Sequence, residues 1–430
     1  MRNPLYPLRG RRHPASRAPR TPGRARRAAA MLGLGTVVTG ALTGVLPAGP
    51  ALPANAACTP VWKLETPAAP ATEVQDVRVF SAKDVRFTAN ISNDLGGGVS
   101  ETVWDGSKNT GAGPQIPQQP KRPLFTGGRS SYDSPSSGWV IVSPDGGFGD
   151  VAGLTMARWD GGKWTLVPAA VSPFPEKGLV RLYDVASVAR DDAWAVGDLN
   201  GEGVLIEHWD GTEWTAVANP GSTRRYTQLM QVSAASANDV WAVGFQRPAD
   251  GGAASPYAQH YDGAKWTEVE LPAVSAPGMP DGVASTVVAK GPGDVYVGGW
   301  RGTWNDWDGY RGLVMHWDGK QWSVDTGLGD VVQGGYMDSL YPAGPNDLWA
   351  ISDSTVMHRT GTTWTKVTPQ GAQPGGGSNG ISYYYRAVSG SGPNDVWAVG
   401  SSVSTDPAPI PGLAYARIRT ALAHLTCGGR

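Results

Sequence analysis

Two cysteines, six phenylalanines and six histidines in 430 residues leave little material for several kinds of chemistry. So few cysteines exclude a disulfide-dense framework and a cysteine-rich metal centre. No nucleophile elbow, phosphate-binding glycine loop or paired-cysteine zinc motif is present. Long apolar runs are also missing. The longest, MLGLGTVVTGALTGVL at 31–46, is diluted with Gly and Thr and stops at Pro47, short of the ~20 residues that span a bilayer. Acidic residues are absent from the first 57 positions, which hold nine Arg. A basic region, a short apolar core and a small-residue segment ending Ala54-Asn55-Ala56 together read as a secretory signal peptide over 1–56. Arg26-Arg27 beside the apolar core hints at twin-arginine export. The remainder, 57–430, carries 27 Lys and Arg against 37 Asp and Glu, a net charge of −10. An acidic chain with no basic cluster argues against nucleic acid and against anionic membrane as partners. The expectation is a secreted, extracellular protein without membrane insertion.

What is abundant is repetition. NDVWAVG at 394–400 returns at 238–244, as DDAWAVG at 191–197 and as NDLWAIS at 346–352. Alignment on its aromatic gives Arg86, Trp139, Trp194, Trp241, Tyr296, Trp349 and Trp397, spaced 47 to 55 residues apart. Nine residues before most of these stands an aliphatic, such as Val77, Val185 or Leu340. A second phrase follows each copy, for example EHWDGTEWTAV at 207–217 and MHWDGKQWSVD at 315–325; the first copy is eroded, ending VWDGSKN at 103–109. Each unit offers four short alternating segments, with Asp-Gly marking a tight hairpin. The Asp two residues before the aromatic (Asp192, Asp239, Asp294, Asp347, Asp395) is expected to satisfy turn amides. A four-stranded unit of this length cannot bury its own faces. Seven of them around an axis can, with Trp filling the wedges between sheets. The fold class expected is all-β, a seven-bladed β-propeller of four-stranded blades.

The ends fit this reading. The last unit, ALAHLTCGGR at 421–430, stops before its fourth strand, and Trp62-Lys63-Leu64 near the start of the mature chain matches the missing piece. The N-terminal strand is therefore expected to complete the last blade. Cys58 precedes that strand and Cys427 takes the place of the hairpin Gly, so a Cys58–Cys427 disulfide would replace the hairpin lost to the chain break. Closing so long a loop is nominally worth about 5–6 kcal/mol. A lipid anchor on Cys58 is the competing reading, opposed by Asn55 where an aliphatic is wanted.

The WAVG and HWDG phrases, running from Cys58 to Cys427, resemble secreted propeller repeats of high-G+C bacteria, grouped with kelch and galactose-oxidase-type propellers. The copper oxidase in that group uses a cysteine-linked tyrosine and two histidines. Here the cysteines serve closure, and His208, His260, His316, His358 and His424 all occupy one repeat slot, so neither that activity nor a cofactor is expected. Sialidase-type boxes are not formed either; SPDGGFGD at 143–150 holds only half of one.

Binding residues are expected on the rim where loop length varies. The loop GGWRGTWNDWDGYRG at 298–312 holds Trp300, Trp304, Trp307 and Tyr310 among Asp306 and Asp308. Such rings stack on sugar faces while carboxylates bond hydroxyls, or they pack among themselves as a loop core. Two carboxylates are too few to assign a Ca²⁺ site. Tyr383, Tyr384 and Arg386 in SYYYRAV, and Arg225 and Tyr226 in STRRY, precede inner strands, where they rim the channel or stand in solvent. The sequence points to a non-catalytic, lectin-like protein binding extracellular glycan or protein, alone or as a subunit of a secreted assembly. The alternative is a carbohydrate-active lyase or hydrolase using loop Asp, Tyr or Arg. Mass mapping of the mature protein without reductant is expected to recover a Cys58–Cys427 peptide; a free thiol at either position would refute the pairing.

Overall fold

The computed structural model of the protein describes residues 59–66, 72–93, 96–110, 116, 124–144, 155–170, 181–304, 306–332, 334, 336–369, 381–407 and 414–428. Seven four-stranded antiparallel sheets follow one another along these residues. Blade 3 shows the unit: Arg181–Ala189 is innermost, followed outward by Asp192–Asp198, Val204–Trp209 and Trp214–Ala216. The inner strands of blades 1 and 2 are Thr72–Ser81 and Leu124–Ser134. Those of blades 4 to 7 are Thr227–Ser236, Asp281–Gly291, Met337–Gly344 and Ile381–Gly392. Each inner strand touches those of both neighbouring blades, and blade 1 touches blade 7, so the sheets form a closed ring. The fold is a seven-bladed β-propeller.

Closure is made by the strand Thr59–Glu65, which pairs antiparallel with Ala414–Gly428 of blade 7. Its register runs from Thr59 opposite Gly428 to Glu65 opposite Leu422, and Trp62 packs edge-on against Trp349 of blade 6 at 5.5 Å. Cys58 and the side chain of Cys427 lie outside the described residues. Backbone pairing nevertheless brings Thr59, the neighbour of Cys58, opposite Gly428, the neighbour of Cys427. Among the described residues no helix is long and apolar enough to cross a membrane.

Both turn types on one face are short and built alike. A two-residue link joins each inner strand to the next, as between Ala189 and Asp192 or Ser236 and Asp239. The Asp-Gly turns join the third and fourth strands. There Asp210 Oδ1 accepts the amides of Thr212 and Glu213 at 2.8 and 3.0 Å, and Gly211 supplies the φ of 98° that a side chain would resist. Links on the opposite face differ from blade to blade: among the described residues they run from the two residues 353–354 to the eleven residues 270–280.

Indole rings fill the wedges. Trp139 of blade 2 is buried with Leu182 and Ala195 of blade 3, and its ring lies 4.9 Å from both Trp209 and Trp214. The Asp preceding each aromatic does something other than the turn bonding expected from the sequence. Asp192, Asp239, Asp294, Asp347 and Asp395 each accept from the Nε2 of the blade's histidine, at 2.8 to 2.9 Å. A carboxylate only accepts, so Nε2 carries the proton. Antiparallel register sets His208 beside Trp194 and His424 beside Trp397, and the imidazoles lie on the aromatic faces at 3.8 to 4.5 Å. In three blades a turn amide goes instead to the serine before the link: Lys83 to Ser81, Asn238 to Ser236 and Ser136 to Ser134. The first repeat departs because Arg86 replaces the aromatic. Its guanidinium pairs with buried Glu101 at 2.7 Å and lies over the Trp159 ring, while Tyr132 donates to the same carboxylate. Replacing Asp239 with Ala strands two donors, His260 Nε2 and Trp241 Nε1. The expected loss is about 1–3 kcal/mol by urea denaturation, and a loss under about 0.5 kcal/mol would show the pair to be incidental.

Candidate functional site

At one level of the ring, every inner strand slips by a residue or more against its neighbour. The register shifts fall at Val74/Asp76, Thr126/Ser130, Leu182/Asp184 and Leu229/Gln231 in blades 1 to 4. In blades 5 to 7 they fall at Ala284/Thr286, Met337/Ser339 and Tyr385/Ala387. A bulge re-aims the residue it displaces. The residues inside these shifts line one cavity of about 610 Å³ at the mouth of the central channel. Arg386, Gln75 and Arg129 come from blades 7, 1 and 2. Tyr183, Met230, Ser285 and Asp338 come from blades 3 to 6.

In four blades the residue after the bulge ties its blade to the next. Asp76 Oδ2 accepts the Ser130 amide at 2.8 Å, Asp184 Oδ2 the Val232 amide at 3.0 Å, and Ser339 Oγ the Val388 amide at 3.2 Å. Gln231 Oε1 accepts the Val287 amide in the same manner. The cavity floor is thus hydrogen-bonded to the scaffold, which holds the ring above it in place.

Blades 4 to 6 supply an aromatic wall. Trp300 stacks on Tyr310 at 3.9 Å, with Tyr336 edge-on to both. Trp304 leans on Phe245 at 5.3 Å and carries the Arg247 guanidinium over its ring at 4.1 Å. Asp281 fixes this corner by accepting the Trp304 and Ala254 amides at 2.9 and 2.7 Å. Gly302 is required where the loop doubles back, because a Cβ there would stand 2.6 Å from the Tyr310 ring.

Burial shifts the cavity's acids. Asp184 is raised from 3.8 to about 7 by burial, against the opposing bond from the Val232 amide. Asp338 is raised from 3.8 to about 6 by burial, with Arg129 and Arg386 pulling the other way. Burial also raises Tyr183, helped by the Asp198 carboxylate to which its hydroxyl donates at 2.6 Å.

Of the residues singled out in the sequence, Trp304, Tyr310 and Arg386 meet at this cavity. Asp306 and Asp308 are exposed on the outer turn of the same loop, and the Trp307 side chain lies outside the described residues. Arg225 pairs with Glu202 at 2.8 Å beside the exposed ring of Tyr226, away from the mouth. Tyr383 and Tyr384 line a separate cavity of about 360 Å³ with Asp353 and Lys366. Gln75, Arg129, Tyr183, Ser285 and Asp338 were not anticipated. Their signal was positional: in six blades the displaced residue stands two places before the aligned aliphatic.

No protein-family model matches the chain, and no curated protein sequence does. Solved structures do. An ulvan lyase of a polysaccharide lyase family aligns with a TM-score of 0.53 at 8% identity, over 83% of this chain and 95% of that one. The xyloglucanase of Xanthomonas campestris aligns at 0.47 and 12% identity, over 84% and 55%. The Aleuria aurantia lectin aligns at 0.41 and 12% identity, over 72% and 99%. The first of these supports the propeller fold and nothing finer.

The raised acids set a pH dependence. Asp338, Asp184 and Glu207, at about 6, 7 and 8, hold protons in the folded state that the unfolded chain has lost above about pH 4.5. Stability therefore falls as pH rises through that window. Lowered groups such as Asp210, at about 2, act only at more acid pH. The melting temperature is expected to rise from pH 8 to pH 5, and Asp184→Asn, which still offers an oxygen to Val232, to flatten that slope. A melting temperature constant or falling over the interval contradicts the assignment.

Proposed function

We propose that the protein is exported and acts as a non-catalytic, lectin-like recognition propeller that takes an extracellular glycan at the mouth of its channel. The observation that carries this reading is the pairing of an aromatic wall with a ring of polar side chains on one cavity. Flat rings such as Trp304 and Tyr336 suit the C–H faces of sugars, while Gln75, Gln228 and Ser285 suit hydroxyls. Recognition rather than turnover is favoured by how the polar groups are committed. Tyr183 donates to Asp198, and its raised pKa unsuits it as a base; Asp184 is bonded to a backbone amide of the next blade. The secreted address rests on the N-terminal segment, and the kinship with secreted bacterial propellers on the repeated phrases.

The second reading is a lyase or hydrolase, favoured by the Asp338 carboxyl at about 6, a value suited to proton transfer near neutrality. A glycan array with the mature protein, followed by product analysis, separates them. Binding with intact oligosaccharides is expected, and Trp304→Ala should weaken it about tenfold or more, as loss of a stacking ring does at a binding site. Shortened oligosaccharides would establish the enzymatic reading. Affinity unchanged by Trp304→Ala would remove the cavity from the binding site.

A further inference from the structure

The mouth is not chemically uniform around its ring, and blade order shows how it divides. Blades 7, 1 and 2 are consecutive and present Arg386, Gln75 and Arg129. Blades 4 to 6 present Phe245, Trp300, Trp304, Tyr310 and Tyr336. One arc is cationic and amide-bearing; the facing arc is aromatic. Taking the glycan reading as its basis, we propose that the ligand is an acidic saccharide. Its carboxylate or sulfate is taken by Arg129 and Arg386 while its ring lies against the aromatic arc.

Arg129 is the departure that carries this furthest. It stands directly before Ser130, and counting back from the paired residues Ser130 and Val185 puts it at the level that Asp76, Asp184, Gln231 and Ser339 occupy in other blades. Those residues accept an amide of the following blade. A guanidinium has no acceptor and cannot. The tether between blades 2 and 3 is made instead elsewhere, where Ser131 Oγ accepts the Ser187 amide at 2.8 Å and Ser187 Oγ donates to Asp133 at 2.6 Å. Blade 2 thus gives up a structural bond at this level and places a cation in the cavity.

The carboxyl groups around it are largely committed. Asp76 accepts from Val77, from the Ser130 amide and from the Ser130 hydroxyl, and Asp184 accepts from Val232. Glu73 stands 3.6 Å from the Arg386 Nε on the open side, too long for a hydrogen bond. Asp338 is the acid that both arginines influence, and it faces the cavity from blade 6. Arg129 acts on Asp76, Asp184 and Asp338 through its charge, and no hydrogen bond or ion pair to it is formed among the described residues, which leaves its fork able to take a planar or tetrahedral oxyanion. Hydroxyl recognition falls to Gln75, Gln228 and Ser285, whose Oγ donates to the Met337 carbonyl at 2.7 Å and so offers a ligand hydroxyl an acceptor.

The test is calorimetric titration of the mature protein with three probes: oligogalacturonates, chondroitin sulfate oligosaccharides and neutral cello-oligosaccharides. At least one acidic probe is expected to bind about tenfold or more tightly than the neutral one, with affinity falling as salt is raised. Arg129→Gln and Arg386→Gln should each lower the affinity for the acidic probe by about tenfold or more. Arg386 is half exposed, so its variant reads binding even if Arg129→Gln lowers the melting temperature. Carboxylate and sulfate are distinguished by which acidic probe binds. Equal or tighter binding of the neutral probe, still lost with Trp304→Ala, overturns the acidic assignment and leaves glycan recognition standing. Binding of poly-glutamate with the same arginine dependence, and of no oligosaccharide, overturns both in favour of an acidic peptide.

Discussion

The structure depends on closing a ring. A four-stranded sheet has two faces and no layer of its own to cover them, so each blade is stable only between two others. Six of the seven blades obtain their fourth strand from the same stretch of chain. The seventh obtains it from Thr59–Glu65, and that single antiparallel pairing with Ala414–Gly428 turns an open array into a toroid. The pairing also decides where the channel mouth is, since only a closed ring brings Arg386 of blade 7 around to Gln75 of blade 1 and Arg129 of blade 2.

Within the ring, two interactions share the work of holding neighbours. Large rings fill the wedge, and in five blades an imidazole lies flat on one of them while donating to the aspartate at the start of the same strand. The stack orients the histidine and the carboxylate fixes its tautomer, so three residues brought together by register act as one unit. Nearer the axis, side chains of one blade accept amides of the next. Blade 1 shows that the wedge position tolerates other chemistry: Arg86 enters it once Glu101 supplies the opposing charge and Tyr132 the remaining bond.

The repeat phrases and the Asp-Gly turns made the architecture readable because each marks a local event: a turn, an inward aromatic, a strand end. Even the closing strand was visible, since Trp62-Lys63-Leu64 carries the same pattern as the outer strands. The Asp192–His208 pairing was not visible, because sixteen residues separate its members and only antiparallel register joins them. The mouth was half visible. Trp304 and Tyr310 stood out because the repeat does not call for them, and Arg386 because it follows three tyrosines. Gln75, Tyr183, Ser285 and Asp338 share no chemistry and sit in unremarkable strands, so nothing along the chain gathers them. Arg129 was hidden further by the serine-rich blade 2, which lacks the aliphatic that anchors the alignment elsewhere.

The bulges carry a consequence for how such a surface changes over time. In six blades the displaced residue occupies the same geometric station, with Arg129 of blade 2 one place further along, and the strand on either side of it is held by ladder bonds. A replacement at one station therefore alters the lining at one point of the compass and leaves the ladder intact. The mouth behaves as a dial with seven separately adjustable marks. Selection for a different ligand can turn one mark at a time, while the load is borne by the strand ladders and the packed wedges behind the opening.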